Sequence, residues 1–184
     1  MKYAAVLAVV LAQAAAAGDA FPEPSDSQQG DAAPLAAVEA AAALAVPEGF
    51  RVELLAAEPT LRNPIAVSQD ARGRLWIAEN FTYAEGGLRF DRTLRDRVLV
   101  FDDANRDGLL DPPVVFTDNV QLLTGVAVGY GGVWLCCPPQ ILFIPDADGD
   151  LVPDGPAEVV LDGFEVGPSS HHNLANGLAF GPDG

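Results

Sequence analysis

Short β-rich runs separated by turn residues recur along the chain from Phe50 to its end, and this pattern most constrains what the chain folds into. Ten runs of four to seven residues alternate with pieces rich in Gly, Pro, Asp and Asn, which favour hairpin turns. The predicted strands are FRVELLA (50–56), PIAVS (64–68), RLWIAE (74–79), RVLVFD (97–102), PVVFTD (113–118), GVAVG (125–129), VWLCC (133–137), QILFIP (140–145), EVVLDGF (158–164) and GLAF (177–180). Because no amphipathic helical period follows Phe50, the sequence predicts an all-β fold.

Some of these runs resemble one another at a nearly constant spacing. The similar segments are VLVFDDANRDG (98–108) with ILFIPDADGD (141–150), and PIAVSQDARGRLWIAE (64–79) with GVAVGYGGVWLCC (125–137) and NGLAFGPDG (176–184). In the first pair Asp103 and Asp146 are 43 residues apart. Repeats of about 40–50 residues, each a small antiparallel sheet, are typical of a β-propeller. A β-sandwich is the alternative, since it also has short strands at regular spacing.

The number of repeats is small for a closed propeller. About three are present, whereas closed propellers typically have about 4–8 blades. The last residues, Gly181–Gly184, form a GPDG turn that should lead into another strand. An incomplete ring leaves unpaired strand edges, so we expect this chain to be the N-terminal part of a longer protein. A chain that does not fold stably by itself is the alternative.

The N-terminal part has the composition of a secretory signal followed by a linker. Residues 1–17 combine Lys2, an apolar run and a small-residue stretch suited to cleavage, and the run is too short to cross a bilayer. Residues 18–46 form an acidic Ala- and Pro-rich linker with a short helix predicted over 34–45. The predicted partial propeller is 47–184. We therefore expect an exported protein, periplasmic or on the cell surface, with no transmembrane helix in this segment.

The charge balance excludes one class of partner. With 26 acidic against 10 basic residues the net charge is −16, so a nucleic-acid partner is not expected. Cys136 and Cys137 are too few for a disulfide scaffold or zinc finger, and we interpret them as two small core residues. A strained disulfide between these neighbours is the alternative. Trp76 and Trp134 hold equivalent repeat positions and are predicted to lie in blade cores.

Two acidic loops have the spacing of calcium ligands. The first acidic loop, Asp103–Asp111, reads D-x-N-x-D-G-x-x-D, and the second acidic loop, Asp146–Asp154, repeats its oxygen positions with Gly149 one place early. Oxygen side chains at positions 1, 3, 5 and 9 suit a hard cation such as Ca²⁺. The predicted ligands are Asp103, Asn105, Asp107 and Asp111 in the first loop, and Asp146, Asp148, Asp150 and Asp154 in the second. Solvated turns between strands are the alternative, and bound calcium would be structural.

Polar residues near strand ends are the candidates for a functional centre. His171 and His172 lie just before a predicted strand, where a propeller loop can face the central channel, and an imidazole can take a proton from a substrate hydroxyl. A loop histidine bonded to the backbone is the alternative. Glu79, Asn80 and Tyr83 also follow a strand and are candidates to reach the channel, with ordinary loop packing equally consistent.

A series of motifs in this order resembles one bacterial family. The motifs are Phe50–Leu54 with Ala57-Glu58-Pro59, Gly73–Asn80 with Tyr83, the two acidic loops, and His171–Gly177 with Gly181–Gly184. The chain resembles, over about Val46–Gly184, the membrane-bound dehydrogenases of PVC-type (planctomycete-like) bacteria. The N-terminal propeller of that family is similar to the soluble glucose/sorbosone dehydrogenases that use pyrroloquinoline quinone.

The resemblance implies a six-bladed propeller with a quinone cofactor on its axis. It also implies that a histidine before the G-P-D turn acts as base while hydride passes to the quinone; His172 is the nearest match and His171 its rival. The implied partners are a sugar or other alcohol substrate and an electron acceptor such as a cytochrome c. Arginines that hold the quinone, and a C-x-x-C-H segment for haem c, would lie beyond Gly184.

Two functions are therefore carried forward from the sequence. The first is the N-terminal part of an exported quinone-dependent dehydrogenase-like oxidoreductase. The alternative is a non-catalytic calcium-stabilised propeller module that binds protein or glycan partners, because propellers host many unrelated functions.

Overall fold

The structure is a computed structural model that describes residues 35–83, 89–167 and 173–183. The predicted signal peptide (1–17), most of the linker, and both candidate histidines, His171 and His172, lie outside these residues. The chain divides into two compact units, one ending at Arg62 and the other beginning at Asn63.

The described part of the first unit contains one short helix, α1 (Ala37–Ala43), inside the helix predicted over 34–45. Its alanines favour helix, and the helix ends where Leu44 adopts an extended conformation shortly before Pro47. The strand predicted over 50–56 was wrong, since these residues form no strand. An extended apolar run becomes a strand only where a neighbour pairs with its N–H and C=O groups. Along the described ranges, no helix is long and apolar enough to cross a membrane.

The second unit consists of two antiparallel sheets of four strands each. The strands are β1 (Pro64–Gln69), β2 (Leu75–Glu79), β3 (Asp96–Phe101), β4 (Val114–Val120), β5 (Gly125–Val128), β6 (Gly132–Cys137), β7 (Gln140–Pro145) and β8 (Glu158–Asp162). In each sheet the strands pair in sequence order, β1-β2-β3-β4 and β5-β6-β7-β8. The prediction of an all-β fold is confirmed, and eight of the ten predicted strands form. The strand predicted over 177–180 was wrong, because that segment is not paired into either sheet.

Position in the sheet explains how deeply each strand is buried. In β2 and β3 nearly every residue is buried, as their runs of apolar residues on both faces predict. The edge strand β8 is exposed at all five positions. In β4, Phe116 and Val120 are buried, whereas most of the other residues of that strand are exposed. In the first sheet the middle strands therefore carry most of the core. In the second sheet β5 and β6 are the most buried strands and β7 is mostly half-buried, while the fourth strand of each sheet is a largely exposed edge.

One apolar core joins the two sheets. It is formed by Trp76, Ala78, Val98, Val100, Phe116, Val120, Leu123, Val126, Val133, Leu135, Cys137 and Ile144. Trp76 is fully buried and packs edge-to-face against Phe116, with ring centroids 5.0 Å apart. The first strand of the second sheet, β5, contacts both β1 and β2 of the first sheet.

The connection between the sheets is held by buried polar side chains. Asp96 is fully buried, and its two carboxylate oxygens accept the backbone N–H groups of Phe81, Thr82 and Leu123 and the hydroxyl of Thr82. Asn80 donates its side-chain N–H to the Leu123 carbonyl at 2.7 Å. Because each of these groups is paired, the polar residues fix the chain that leads from β4 to β5.

Candidate functional site

The first acidic loop (Asp103–Asp111) connects β3 to β4, and its oxygens are engaged by its own backbone. Asp103 accepts the N–H groups of Asp107 and Gly108, each at 3.0 Å. Asp107 accepts the N–H of Leu109 at 2.8 Å and the side-chain amide of Asn105 at 3.0 Å. Gly108 has φ +88°, a conformation that glycine adopts without strain. The loop is thus a closed turn in which its side chains satisfy its N–H groups.

The second acidic loop (Asp146–Asp154) connects β7 to β8 and brings three carboxylates together. Asp146, Asp148 and Asp150 each offer an oxygen, and these oxygens lie within 4.8 Å of one another. Within the described ranges, this is the one group of three or more Asp, Glu, His or Cys side chains gathered so closely. The first acidic loop has no such cluster of three acidic side chains, although its sequence matches the calcium pattern more fully.

Asp146 differs from the other members of this cluster in its burial. Only 7% of Asp146 is exposed, whereas Asp148 and Asp150 are exposed. Its Oδ1 atom is buried and accepts no hydrogen bond from any residue that the structure describes. A buried carboxylate oxygen without a donor is rare in proteins, and an ordered water or a bound ion is what commonly satisfies such an oxygen.

The ninth residue has the same role in both loops. Asp111 Oδ2 accepts the N–H of Ala104 at 3.0 Å, and Asp154 Oδ2 accepts the N–H of Ala147 at 2.7 Å. Each carboxylate therefore closes its loop by bonding the second residue of that loop. The sequence predicted Asp111 and Asp154 as cation ligands, and this loop-closing contact is an additional function that it did not predict.

Two arginines of the first sheet bind the main chain of the second acidic loop. Arg72 donates to the carbonyls of Gly149 and Asp148 at 2.9 and 3.1 Å, and Arg74 donates to Gly149 at 3.0 Å. Both arginines lie in the turn between β1 and β2. They reach the loop through its carbonyl oxygens, so these hydrogen bonds do not use its carboxylates.

A cavity of about 400 Å³ lies near the first residues of β1 and directly before β5, the first strands of the two sheets. It is lined by Ile65, Ala66, Asn80, Tyr83, Thr124, Leu174, Asn176 and Gly177. Asn80 and Tyr83 thus line a cavity, and their reach to a propeller channel stays a prediction. Glu79 does not line it; this carboxylate is fully buried and forms an ion pair with Arg97.

Polar side chains that line this cavity form hydrogen bonds with carbonyl groups of the main chain. Thr124 donates its hydroxyl to the Ala175 carbonyl at 2.7 Å, and Asn176 donates its side-chain amide to Leu174 at 3.2 Å. None of the eight lining residues carries a positive charge. The described lining therefore does not by itself fit pyrroloquinoline quinone, whose carboxylates require cationic partners.

The two candidate histidines lie outside the described residues. In the sequence they come between two segments that line a second cavity of about 550 Å³. Phe164 and Glu165 line that cavity from the side preceding the histidines in sequence, and 173–176 line it from the side that follows them. Leu174 and Asn176 are shared with the first cavity.

The adjacent cysteines are free thiols buried in the second sheet. Cys136 and Cys137 are 2% and 6% exposed, in agreement with the interpretation as core residues. Burial raises the pKa of the Cys137 thiol, and the charge of Asp96 raises it further. Cys137 is therefore held as a neutral thiol.

The residues that sequence reasoning missed are Asp96, Arg72 and Arg74. Asp96 is the first residue of β3, and its burial carries no local signal because its hydrogen-bond donors lie 14 to 27 residues away in sequence. Arg72 and Arg74 lie in a hairpin turn and carry no local signal, because their partner carbonyls are more than 70 residues away in sequence.

The fold described above is that of an all-β protein with two four-stranded antiparallel sheets and paired acidic loops. Residues 36–184 match a protein family described as a domain of unknown function, DUF7133, and the chain belongs to this family. Among curated proteins, no sequence matches the chain.

Proposed function

We propose that the two sheets are consecutive blades of a β-propeller. Each is a four-stranded meander in sequence order, and their first strands, β1 and β5, lie next to each other. The two acidic loops occupy the same hairpin, between the third and fourth strands of each sheet. These relations are expected of repeated blades arranged around an axis.

The two tryptophans support the same proposal. Trp76 belongs to the core between the sheets, so it faces the second sheet. In β6, Val133 and Leu135 belong to that core, and Trp134 between them points to the opposite face. Each tryptophan thus lies on the face of its sheet that would meet the following blade. A rotation repeated from blade to blade produces this arrangement.

We further propose that the chain is part of an exported dehydrogenase-like oxidoreductase that acts on a sugar or other alcohol. The observation that carries this proposal is the 400 Å³ cavity near the start of β1 and β5. One of the residues that line it is close to His172 in the sequence. Leu174, which lines the cavity, follows His172 by two residues. The resemblance to quinone-dependent dehydrogenases supports the same assignment.

His172 has a defined role in this proposal, with His171 as the rival position. A neutral imidazole accepts the proton of the substrate hydroxyl as a general base. The proposal includes a signal peptide at 1–17 and an electron acceptor such as a cytochrome c. A polyanionic quinone would need cations beyond the described lining of the cavity.

The test measures quinone binding and turnover separately. The test uses the full-length protein that the sequence predicts, because the cations that hold the quinone are expected beyond Gly184 and this chain alone is expected to be inactive. The purified full-length protein is supplied with pyrroloquinoline quinone and Ca²⁺, and binding is followed by the absorbance of the quinone. Reduction of a dye acceptor is then measured with aldoses and primary alcohols. We expect His172→Ala to lower turnover by about 100-fold or more while quinone binding is retained. His171→Ala is the matched control.

The outcomes separate the assignments. Turnover unaffected by His172→Ala and abolished by His171→Ala would move the base to the rival position. Quinone that neither binds nor supports turnover would contradict the dehydrogenase proposal. The alternative, a binding module for protein or glycan partners, is then tested by glycan-array binding in Ca²⁺.

A further inference from the structure

The second acidic loop combines an acidic cluster with a buried unpaired oxygen. Three carboxylates at alternate positions repel one another when ionised, and close approach at 4.8 Å or less is unfavourable without a counter-charge. Asp146 is the member whose Oδ1 is buried and lacks a hydrogen-bond partner in the described chain. A cation bound by the three residues would pair with the buried Asp146 carboxylate and remove the repulsion.

The spacing of the cluster matches a particular class of cation. Ca²⁺ binds carboxylate and carbonyl oxygens at about 2.3–2.6 Å, so two of its ligands lie at most about 5 Å apart. The three carboxylate oxygens, all within 4.8 Å of one another, meet that limit. Gly149 and Leu151, which alternate with Asp148 and Asp150 in the sequence, both have φ +72°.

The second acidic loop is hydrogen-bonded to the β1–β2 turn, and a cation bound to the loop would affect this contact. The carbonyls of Asp148 and Gly149 accept hydrogen bonds from Arg72 and Arg74 of the β1–β2 turn (70–74). The loop belongs to the second sheet and the turn to the first. The conformation of the loop therefore decides whether these carbonyls meet the arginines.

We propose that Asp146, Asp148 and Asp150 bind a divalent cation of the calcium type, and that this binding fastens the second acidic loop to the β1–β2 turn through Arg72 and Arg74. The cation neutralises the clustered carboxylates, while the arginines engage the carbonyls of Asp148 and Gly149. The cation thus stabilises the contact between the two sheets. This inference is independent of the dehydrogenase proposal, because it requires neither quinone nor turnover.

The first experiment uses a matched pair of variants. Asp107 and Asp150 are the fifth residues of their loops; both are exposed, and each accepts the backbone N–H of the second following residue at 2.8 Å. Ca²⁺ binding to the purified protein is measured by titration calorimetry after chelator treatment. We expect Asp150→Asn to weaken binding at this site at least tenfold and Asp107→Asn to leave it unchanged.

Asparagine keeps the oxygen that accepts the N–H, so both variants should fold, which circular dichroism verifies. Asp148→Asn is a second variant for the same site, since Asp148 accepts a long hydrogen bond, 3.2 Å, from the N–H of Asp150. A wild-type protein that does not bind Ca²⁺, or equal binding by wild type and both second-loop variants, would overturn the proposal.

The second experiment tests the coupling between loop and turn. Hydrogen–deuterium exchange of the 70–74 turn is measured with and without Ca²⁺. We expect Ca²⁺ to slow exchange in this turn several-fold in the wild type. In Arg72→Ala, which keeps all three carboxylates, Ca²⁺ should still bind but slow the exchange less. Turn exchange that does not respond to Ca²⁺ in the wild type would overturn the coupling.

Discussion

Asp70 and Arg74 form a buried ion pair in the β1–β2 turn, with Arg74 Nε 2.6 Å from Asp70 Oδ2. Both side chains are less than one-tenth exposed, at 7% and 8%. The same Asp70 oxygen accepts the indole N–H of Trp76 at 3.0 Å, and Arg74 extends to the Gly149 carbonyl of the second sheet. Asp70 therefore orients the arginine that connects the two sheets.

This pair should make stability depend on pH in the acid range. Burial raises the pKa of Asp70, but hydrogen bonds from Trp76 and Arg74 and the charge of Arg74 lower it by more, so the pKa lies below its usual range. The resulting stabilisation is complete above the unfolded-state pKa of about 3.9 and is lost as pH falls through the folded-state value. Asp70→Asn should flatten the fall of the unfolding free energy below about pH 4.5, measured by urea unfolding.

The control for Asp70→Asn is Asp118→Asn, at an exposed position of β4. That variant should keep the wild-type slope of stability against pH. An equal slope in wild type and Asp70→Asn would contradict the assignment.

Substitution of Asp96 should lower the stability of the protein more than most other substitutions in the chain. Its carboxylate is fully buried and accepts four hydrogen bonds from Phe81, Thr82 and Leu123. Asp96→Asn replaces an acceptor oxygen by an N–H donor facing other donors, and should lower the unfolding free energy by about 3 kcal/mol. Urea unfolding checks this, and a loss below about 1 kcal/mol would count against the role of Asp96.

Gly132 at the start of β6 should not tolerate a side chain. A Cβ there would meet the Ile144 carbonyl oxygen and lie 2.5 Å from Cζ of Phe143, which is closer than real Cβ atoms approach. Gly132→Ala should lower the unfolding free energy by about 1–3 kcal/mol. Gly155→Ala is the control, because its Cβ would lie 3.5 Å from Pro145, an ordinary contact. In thermal unfolding, Gly132→Ala should therefore have a lower midpoint temperature than Gly155→Ala.

Both cysteines should be unreactive in the folded protein. Burial raises the pKa of Cys137, and only the thiolate reacts with alkylating agents. Iodoacetamide at pH 8 should label neither thiol at a significant rate before unfolding, and both in urea, as mass spectrometry would show. Rapid labelling of Cys137 in the native state would contradict its burial at 6% exposure.

How far the site could be predicted differs between its parts. The acidic loops were found from spacing alone, since ligand positions in a turn are local in sequence. Which of the two loops gathers its carboxylates more closely could not be predicted from spacing. The clustering of Asp146 with Asp148 and Asp150 depends on how β7 and the loop are buried. The roles of Arg72 and Arg74 depend on contacts with a loop of the other sheet, which no local pattern encodes.

The sequence by itself determined the strands and turns of the sheets, because apolar β-rich runs and Gly- or Asp-containing turns are short-range signals. It also determined the short alanine-rich helix. The tertiary structure decided which extended runs find a partner: 64–69 pairs with β2, whereas 50–56 and 177–180 form no strand. It decided as well that Asp96 and Asp146 are buried. Pairing and burial depend on residues distant in sequence, and the free energy of a carboxylate depends on the donors and charges those residues bring to it.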